Sequence, residues 1–225
     1  MVIQIRWLGH ASFQISVGGK AICVDPRYMK SFKREIGQYF ENPDEADIIL
    51  ITHHHADHCY PSSFEKMLTS STKIIAPELC RKKLGDNFER IRAGEEIVID
   101  GIRVKAVEAY NLKRRRSSGK LWHVKGEGVG YLITIDGKTI YHAGDTEFIP
   151  EMEHLGNVDI ALLPIDGTFT MNIDEAIAGL RTIKPKVAIP MHNRDADPEE
   201  LKAKGETSTE TKVVTLKIGG TYQLQ

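Results

Sequence analysis

Residues 53 to 58 read His53, His54, His55, Ala56, Asp57 and His58, which places four imidazoles and one carboxylate in six consecutive positions. The chain has nine histidines in 225 residues, so a cluster of this density needs a chemical reason. As packing it would require a separate buried partner for every ring, whereas divalent metal ions use such side chains together. Alternate residues of an extended segment point the same way, so His53 and His55 converge on one ion while His54 faces elsewhere. Asp57 and His58 then bend toward a second ion. Two cations held close together need a carboxylate to offset their repulsion, and Asp145, in Gly144-Asp145-Thr146, is the candidate bridge. Gly144 lets the backbone turn sharply there, and Thr146 is placed to orient the carboxylate. His192, in Pro190-Met191-His192-Asn193, is the natural terminal ligand for the ion of Asp57 and His58. The expected cofactors are two divalent metal ions, zinc first, with manganese or iron as alternatives. Asp57 and Asp145 are the candidates for carrying a proton to the leaving group.

Each of these groups follows a short apolar run that reads as a strand. Ile48 to Ile51 is continuous, as in a strand covered on both faces, and a helical stretch is expected from near Pro61. Val129 to Ile135 and Lys138 to His142 flank Asp136-Gly137, a strong hairpin signal, and the second of these strands delivers Asp145. Ile160 to Leu163 and Val187 to Pro190 are strands separated by a helix over about 173–183, with Asn172 as its N-cap. Upstream, Val2, Ile3 and Ile5 and then Phe13, Ile15 and Val17 alternate as strands, with Gly18-Gly19 turning into Ala21 to Val24. Strands at Ile74-Ile75, a polar helix around Glu78 to Leu84, and a hairpin through Asp100-Gly101 follow. Val213 to Ile218 and Thr221 to Leu224 close the chain as strands. The class is α/β, and residues 1–225 are expected to make one domain.

The net charge of -1 gives no global attraction to nucleic acid or anionic lipid. Three cysteines, Cys23, Cys59 and Cys80, without CxxC spacing, argue against a disulfide scaffold or zinc ribbon and suit a reducing cytoplasm. No apolar run approaches membrane-spanning length, and the alternation from Met1 to Trp7 is that of a strand rather than a leader. The expectation is a soluble cytoplasmic protein acting on a small molecule, with no membrane partner, nucleic acid disfavoured, and homo-oligomerisation left open. Lys113 to Lys120 is the one sharply basic segment. A solvated loop is its ordinary explanation, yet Arg114, Arg115 and Arg116 are also candidates for attracting an anionic substrate.

The pattern HxHxDH at His53 to His58, with Gly144-Asp145-Thr146 and the late His192, resembles the metallo-β-lactamase superfamily over essentially the whole chain. The opening Trp7-Leu8-Gly9-His10-Ala11-Ser12-Phe13, with Lys125 to Gly130, Tyr141 to Thr146 and Val187 to His192, is similar to a small branch of metal-dependent hydrolases that includes L-ascorbate-6-phosphate lactonases. The resemblance implies an αββα sandwich, two mixed sheets flanked by helices, with the dinuclear site at one edge. Many members carry a histidine after the strand read here as Val104 to Ala109, where this chain has Tyr110 and Asn111. His123 is then the preferred third ligand of the first ion, because imidazole suits a borderline-soft ion better than an amide oxygen. Asn111 is left to hydrogen-bond a ligand or the substrate. The resemblance also places His10 beside the site and makes Asp25 a structural partner of the ligand loop.

The chemistry implied is hydrolysis of an ester, lactone or phosphodiester in a small anionic molecule by a metal-activated water. A nuclease is the first competing reading, disfavoured by the short chain and its charge balance. A di-iron redox protein is a second, which would want a glutamate where His55 stands. A non-catalytic binding protein is the third, suggested only by the residue at Asn111.

Overall fold

The computed structural model describes residues 2–27, 29–32, 37 and 39–225. The chain divides into two compact units, residues 1–91 with 216–225, and residues 92–215. Each unit is built on its own seven-stranded mixed sheet.

In the first unit the strands are β1 (Ile3–Gly9), β2 (Ser12–Val17), β3 (Lys20–Val24), β4 (Ile48–Leu50), β5 (Lys73–Ala76), β6 (Glu89–Arg90) and the returning β14 (Thr221–Leu224), ordered β14-β1-β2-β3-β4-β5-β6. Pairing is antiparallel from β14 through β3 and parallel from β3 to β6. β1 therefore runs in the same direction as β3 and β4, and the loops that leave their C-terminal ends share one edge of the sheet. Those loops carry His10, Asp25 and residues 51–58. Parallel strand ends are where α/β sheets present ligand-binding loops. β4 is wholly buried and lacks the alternation of a half-exposed strand, as its unbroken apolar run requires. Beneath it Leu8, Ile49, Ile51, Phe64 and Met67 pack with the three cysteines, all of them free thiols.

The second unit contains β7 (Glu96–Ile99), β8 (Ile102–Glu108), β9 (Val129–Ile135), β10 (Lys138–His142), β11 (Ile160–Pro164), β12 (Val187–Met191) and β13 (Lys212–Val213), ordered β13-β12-β11-β10-β9-β8-β7. β10 to β13 are parallel, and β7, β8, β9 and β10 form an antiparallel run. β8 is therefore codirectional with β10, β11 and β12. Asn111, Asp145 and His192 follow the C-terminal ends of β8, β10 and β12 and lie along one edge. Gly130 in β9 is required by close approach, since a Cβ there would sit 2.9 Å from the carbonyl oxygens of His142 and Ala143.

Two expectations need correction, and one helix was not expected. After β4 the chain makes two short 3-10 turns, Pro61–Ser63 and Glu65–Met67, rather than a helix from Pro61. The strand expected over 213–218 is only Lys212–Val213, because pairing with β12 stops at Val213 and the chain then leaves for the first unit. The helix Pro198–Ser208 was absent from the sequence reading, although Asp197 caps it and proline opens it, both ordinary start signals. The helix Ile173–Ile183 lies where expected, and Asn172 and Glu175 complete a reciprocal capping box. Asn172→Ala should lower unfolding free energy by about 1 kcal/mol, measured by urea denaturation; no change would show that the box is redundant.

Candidate metal centre

The ligands of the first unit are held from behind by one carboxylate. Asp25 turns off β3 with a left-handed φ of 44°, a conformation that costs energy and is kept where surrounding contacts demand it. Its backbone N–H donates to the Leu50 carbonyl at 2.9 Å. Its Oδ1 accepts from the Thr52 amide at 2.7 Å and its Oδ2 from the Thr52 hydroxyl at 2.6 Å. The same Oδ2 lies 2.7 Å from His58 Nδ1, and both side chains are fully buried. Because the Thr52 hydroxyl hydrogen is committed to Asp25, its lone pair faces His53 Nδ1 at 2.9 Å. Both rings thus turn Nδ1 toward an oxygen, the arrangement in which Nε2 serves a metal. His53 Nε2 stands 3.0 Å from His55 Nδ1, a spacing that suits two nitrogens each about 2.0–2.1 Å from one zinc ion. His54 sits edge-on to His53 with ring centroids 6.5 Å apart.

Asp57 is more open, with its side chain 46 % exposed, and its Oδ2 lies 3.3 Å from His10 Nε2 and 4.0 Å from His58 Nε2. His10 occupies the β1–β2 turn at a φ of 52°. The Trp7 indole donates to the His10 carbonyl at 2.9 Å, which fixes that turn.

In the second unit Asp145 is the centre. Its Oδ2 lies 3.2 Å from His123 Nε2 and 3.4 Å from His192 Nε2. One carboxylate oxygen thus stands beside two imidazole nitrogens. His123 is set by Asn111, whose Oδ1 accepts from the His123 backbone at 2.7 Å and faces its Nδ1 at 2.8 Å. Asn111 Nδ2 in turn donates to Glu147 Oε1 at 3.2 Å and to the Phe169 carbonyl at 2.8 Å, so the amide can point only one way. Asn111 thus holds a histidine, one of the two roles the sequence left open. His192, at a φ of 45°, has Nδ1 2.7 Å from Asp166 Oδ2. Burial raises the Asp166 carboxyl, but His192 and the amides of Phe169 and Thr168 outweigh it and hold the group below its ordinary value.

Thr146 acts differently from the expectation. Its hydroxyl bonds the Tyr110 and Glu147 carbonyls at 3.1 and 2.8 Å, so it fixes the loop and not the Asp145 carboxylate. The sequence reading also missed Glu147 and Asp166. Glu147 accepts from the backbone amides of Leu112, Lys113 and Arg114, and Asp166 follows β11 as Asp145 follows β10. Only that strand-end position could have flagged Asp166.

The three arginines separate. Arg114 departs from the anion-binding expectation: its side chain is 10 % exposed, with Nη1 3.3 Å from Glu147 Oε1 and Nη2 2.6 Å from Glu175 Oε2. Its Nε donates to the Gly167 carbonyl at 2.9 Å. Two internal carboxylates consume its charge. Arg115 is exposed and donates to the Gly119 carbonyl at 3.0 Å. Arg116 lies over the Trp122 ring, 4.8 Å from its centroid.

A family model described as Beta-lactamase superfamily domain matches residues 4–192. A UPF0173 metal-dependent hydrolase of Thermoplasma acidophilum is 38% identical over 213 residues, covering 89% of this chain and 90% of its own. A solved structure of a Parabacteroides distasonis chain assigned as a metal-dependent hydrolase has a TM-score of 0.83 at 34% identity, covering 95% of this chain and 92% of that one. A metallo-beta-lactamase fold protein of Bacillus subtilis superposes over 100% of both chains with a TM-score of 0.74 at 12% identity, a likeness of fold alone. The two mixed sheets with helices implied by the motifs are the fold these proteins share.

Removing the carboxylates behind the histidines should release the rings: Asp25→Ala and Asp166→Ala are each expected to weaken metal binding about 10–100-fold, measured by chelator competition. Unchanged affinity would mean that the rings are held by other contacts. Arg114→Met removes the cation that Glu147 and Glu175 share while the amides on Glu147 and the Lys113 contact on Glu175 remain, and should cost about 1.5–3 kcal/mol of stability, the scale of a hydrogen bond to a charged group. Burial raises Glu175, yet Arg114, Lys113 and the Asn172 amide hold it below its ordinary 4.5. Its contribution to stability is therefore complete above that value and is lost as pH falls through the lower folded one. In Arg114→Met the acid-side loss should shrink; an identical profile in denaturant titrations at pH 3 to 7 would contradict this.

Proposed function

Since the chain belongs to the β-lactamase superfamily domain family and is a metal-dependent hydrolase, we propose that it holds two divalent ions, zinc by preference. In this reading His53, His55, Asp57 and His58 are the ligands that the first unit supplies, and His123, Asp145 and His192 those that the second supplies. The reading is supported most by one observation made within each unit separately. His53, His58, His123 and His192 each have Nδ1 against a protein oxygen, the arrangement in which Nε2 is the nitrogen that serves an ion. A donor set of five imidazoles and two carboxylates favours zinc over magnesium or calcium.

Bound there, the ions would supply a hydroxide nucleophile near neutral pH and polarise the bond under attack. The chain's own residues do the rest. Asp57, the more exposed carboxylate of the two, receives and returns a proton, with His10 3.3 Å away to steady it. Asp145, at 3 % side-chain exposure, lies between the Nε2 atoms of His123 and His192. The bond cleaved is an ester, lactone or phosphodiester in a small anionic molecule, and the lactonase-like opening motif makes phosphorylated lactones the first compounds to test.

Protein purified without added metal, counted for bound ions and assayed on lactones, phosphodiesters and esters, should lose activity to a chelator and regain it with zinc or manganese. Equal inactivity of metal-free and metal-loaded protein across all three bond classes would refute the hydrolytic reading. Asp145→Asn should lower kcat/KM by about 100-fold or more and reduce the ion count; full activity would remove Asp145 from the site.

A further inference from the structure

Four side chains of the second unit form a ladder that no metal role explains. Arg116 lies over the Trp122 ring at 4.8 Å, Trp122 meets Phe169 edge to face at 4.6 Å and 86°, and Arg194 lies over Phe169 at 4.8 Å. Cations thus cap both ends of an aromatic pair. Trp122 and Phe169 are half-buried, and Arg194 is exposed with no carboxylate at ion-pair distance among the described residues. Trp122 directly precedes His123, and Arg194 stands two residues after His192 at a φ of 45°, a left-handed conformation that a bulky residue keeps only under constraint.

The ladder is tied to both metal ligands. The Phe169 carbonyl accepts from Asn111 Nδ2, and Asn111 holds His123. The Phe169 amide donates to Asp166 Oδ1 at 2.7 Å, while the other oxygen of Asp166 holds His192. The Phe169 backbone is therefore held by the same two residues that face His123 and His192. A guanidinium resting on a ring gives up its face but keeps its in-plane N–H donors, the geometry that grips carboxylate and phosphate oxygens in pairs. Arg116 uses one such donor on the Trp122 carbonyl at 3.2 Å.

We propose that Arg116, Trp122, Phe169 and Arg194 form the platform that receives the oxyanion of the substrate, a phosphate or carboxylate group, beside the ligands of the second unit. This rests on the hydrolytic reading for the word substrate, but the binding itself does not. It also relocates the basic-loop expectation: Arg116 with Arg194 carries the charge, and Arg114 does not.

Trp122 provides its own readout. Titration of the metal-loaded protein with inorganic phosphate, and separately with succinate, should give a saturable change in tryptophan fluorescence that disappears in Trp122→Phe. A response to phosphate alone identifies a phosphorylated ligand, and a response to succinate alone a carboxylate. Arg116→Gln with Arg194→Gln should weaken the responding anion by about tenfold or more, one charge-assisted contact being worth at least that, and should raise KM for an anionic substrate similarly. Arg103→Gln, paired with Glu96 on the first hairpin of the unit, should leave affinity within about twofold, the scale of a surface substitution. Unaltered affinity in the double variant, or fluorescence that responds equally in Trp122→Phe, would overturn the platform. Anion binding without turnover of any ester would instead sink the hydrolase reading and leave the platform standing.

Discussion

An imidazole can serve a metal through one nitrogen only if the other keeps the proton, and much of this molecule exists to enforce that division. Asp25, Thr52, Asn111 and Asp166 each put an oxygen within 2.7 to 2.9 Å of a histidine Nδ1. The energetic sense is plain. A free ring would lose rotamer and tautomer freedom on meeting an ion, whereas these rings have already lost it during folding. The cost is lodged in the backbone at His10, Asp25 and His192, all with positive φ. Such strain persists where surrounding contacts hold it, here at the ends of the paired strands β1, β3 and β12.

The supporting groups form continuous chains within each unit. Glu147 gathers three backbone amides, the Asn111 amide and the Arg114 guanidinium. Arg114 continues to Glu175, which also closes the capping box of the helix Ile173–Ile183. A helix terminus, a loop and a histidine thus share one network. Networks of this kind are worth more intact than their pairs suggest, since losing one member strands a buried charge.

The candidate ligands stood out in the sequence because their chemistry is unusual for their position. Four histidines in six residues, or Gly-Asp-Thr after an apolar run, have few bland explanations. Asp166 and Glu147 were invisible for the opposite reason: single acidic residues in loops are common, and only the fold reveals which histidine or amide they face. Asn111 stands where many relatives carry a histidine, and its side chain faces His123 instead. The helix expected near Pro61 failed because proline at a first turn starts 3-10 turns as readily as a helix, and no apolar periodicity followed. The strand over 213–218 failed because β-branched residues need a partner, and β12 offers pairing only as far as Val213.

In the first unit the tight turn Gly18-Gly19 closes the end of the sheet away from Asp25 and His53, and in the second Asp100-Gly101 and Asp136-Gly137 do the same opposite Asp145 and His192. Each sheet therefore has a working rim and a construction rim. Loops on the working rim are long, strained and fixed by their duties, whereas the opposite turns have no length to spare and no duty beyond reversing direction. Insertions, fusions or circularly permuted termini introduced at those three turns would lengthen the molecule without re-aiming a single imidazole.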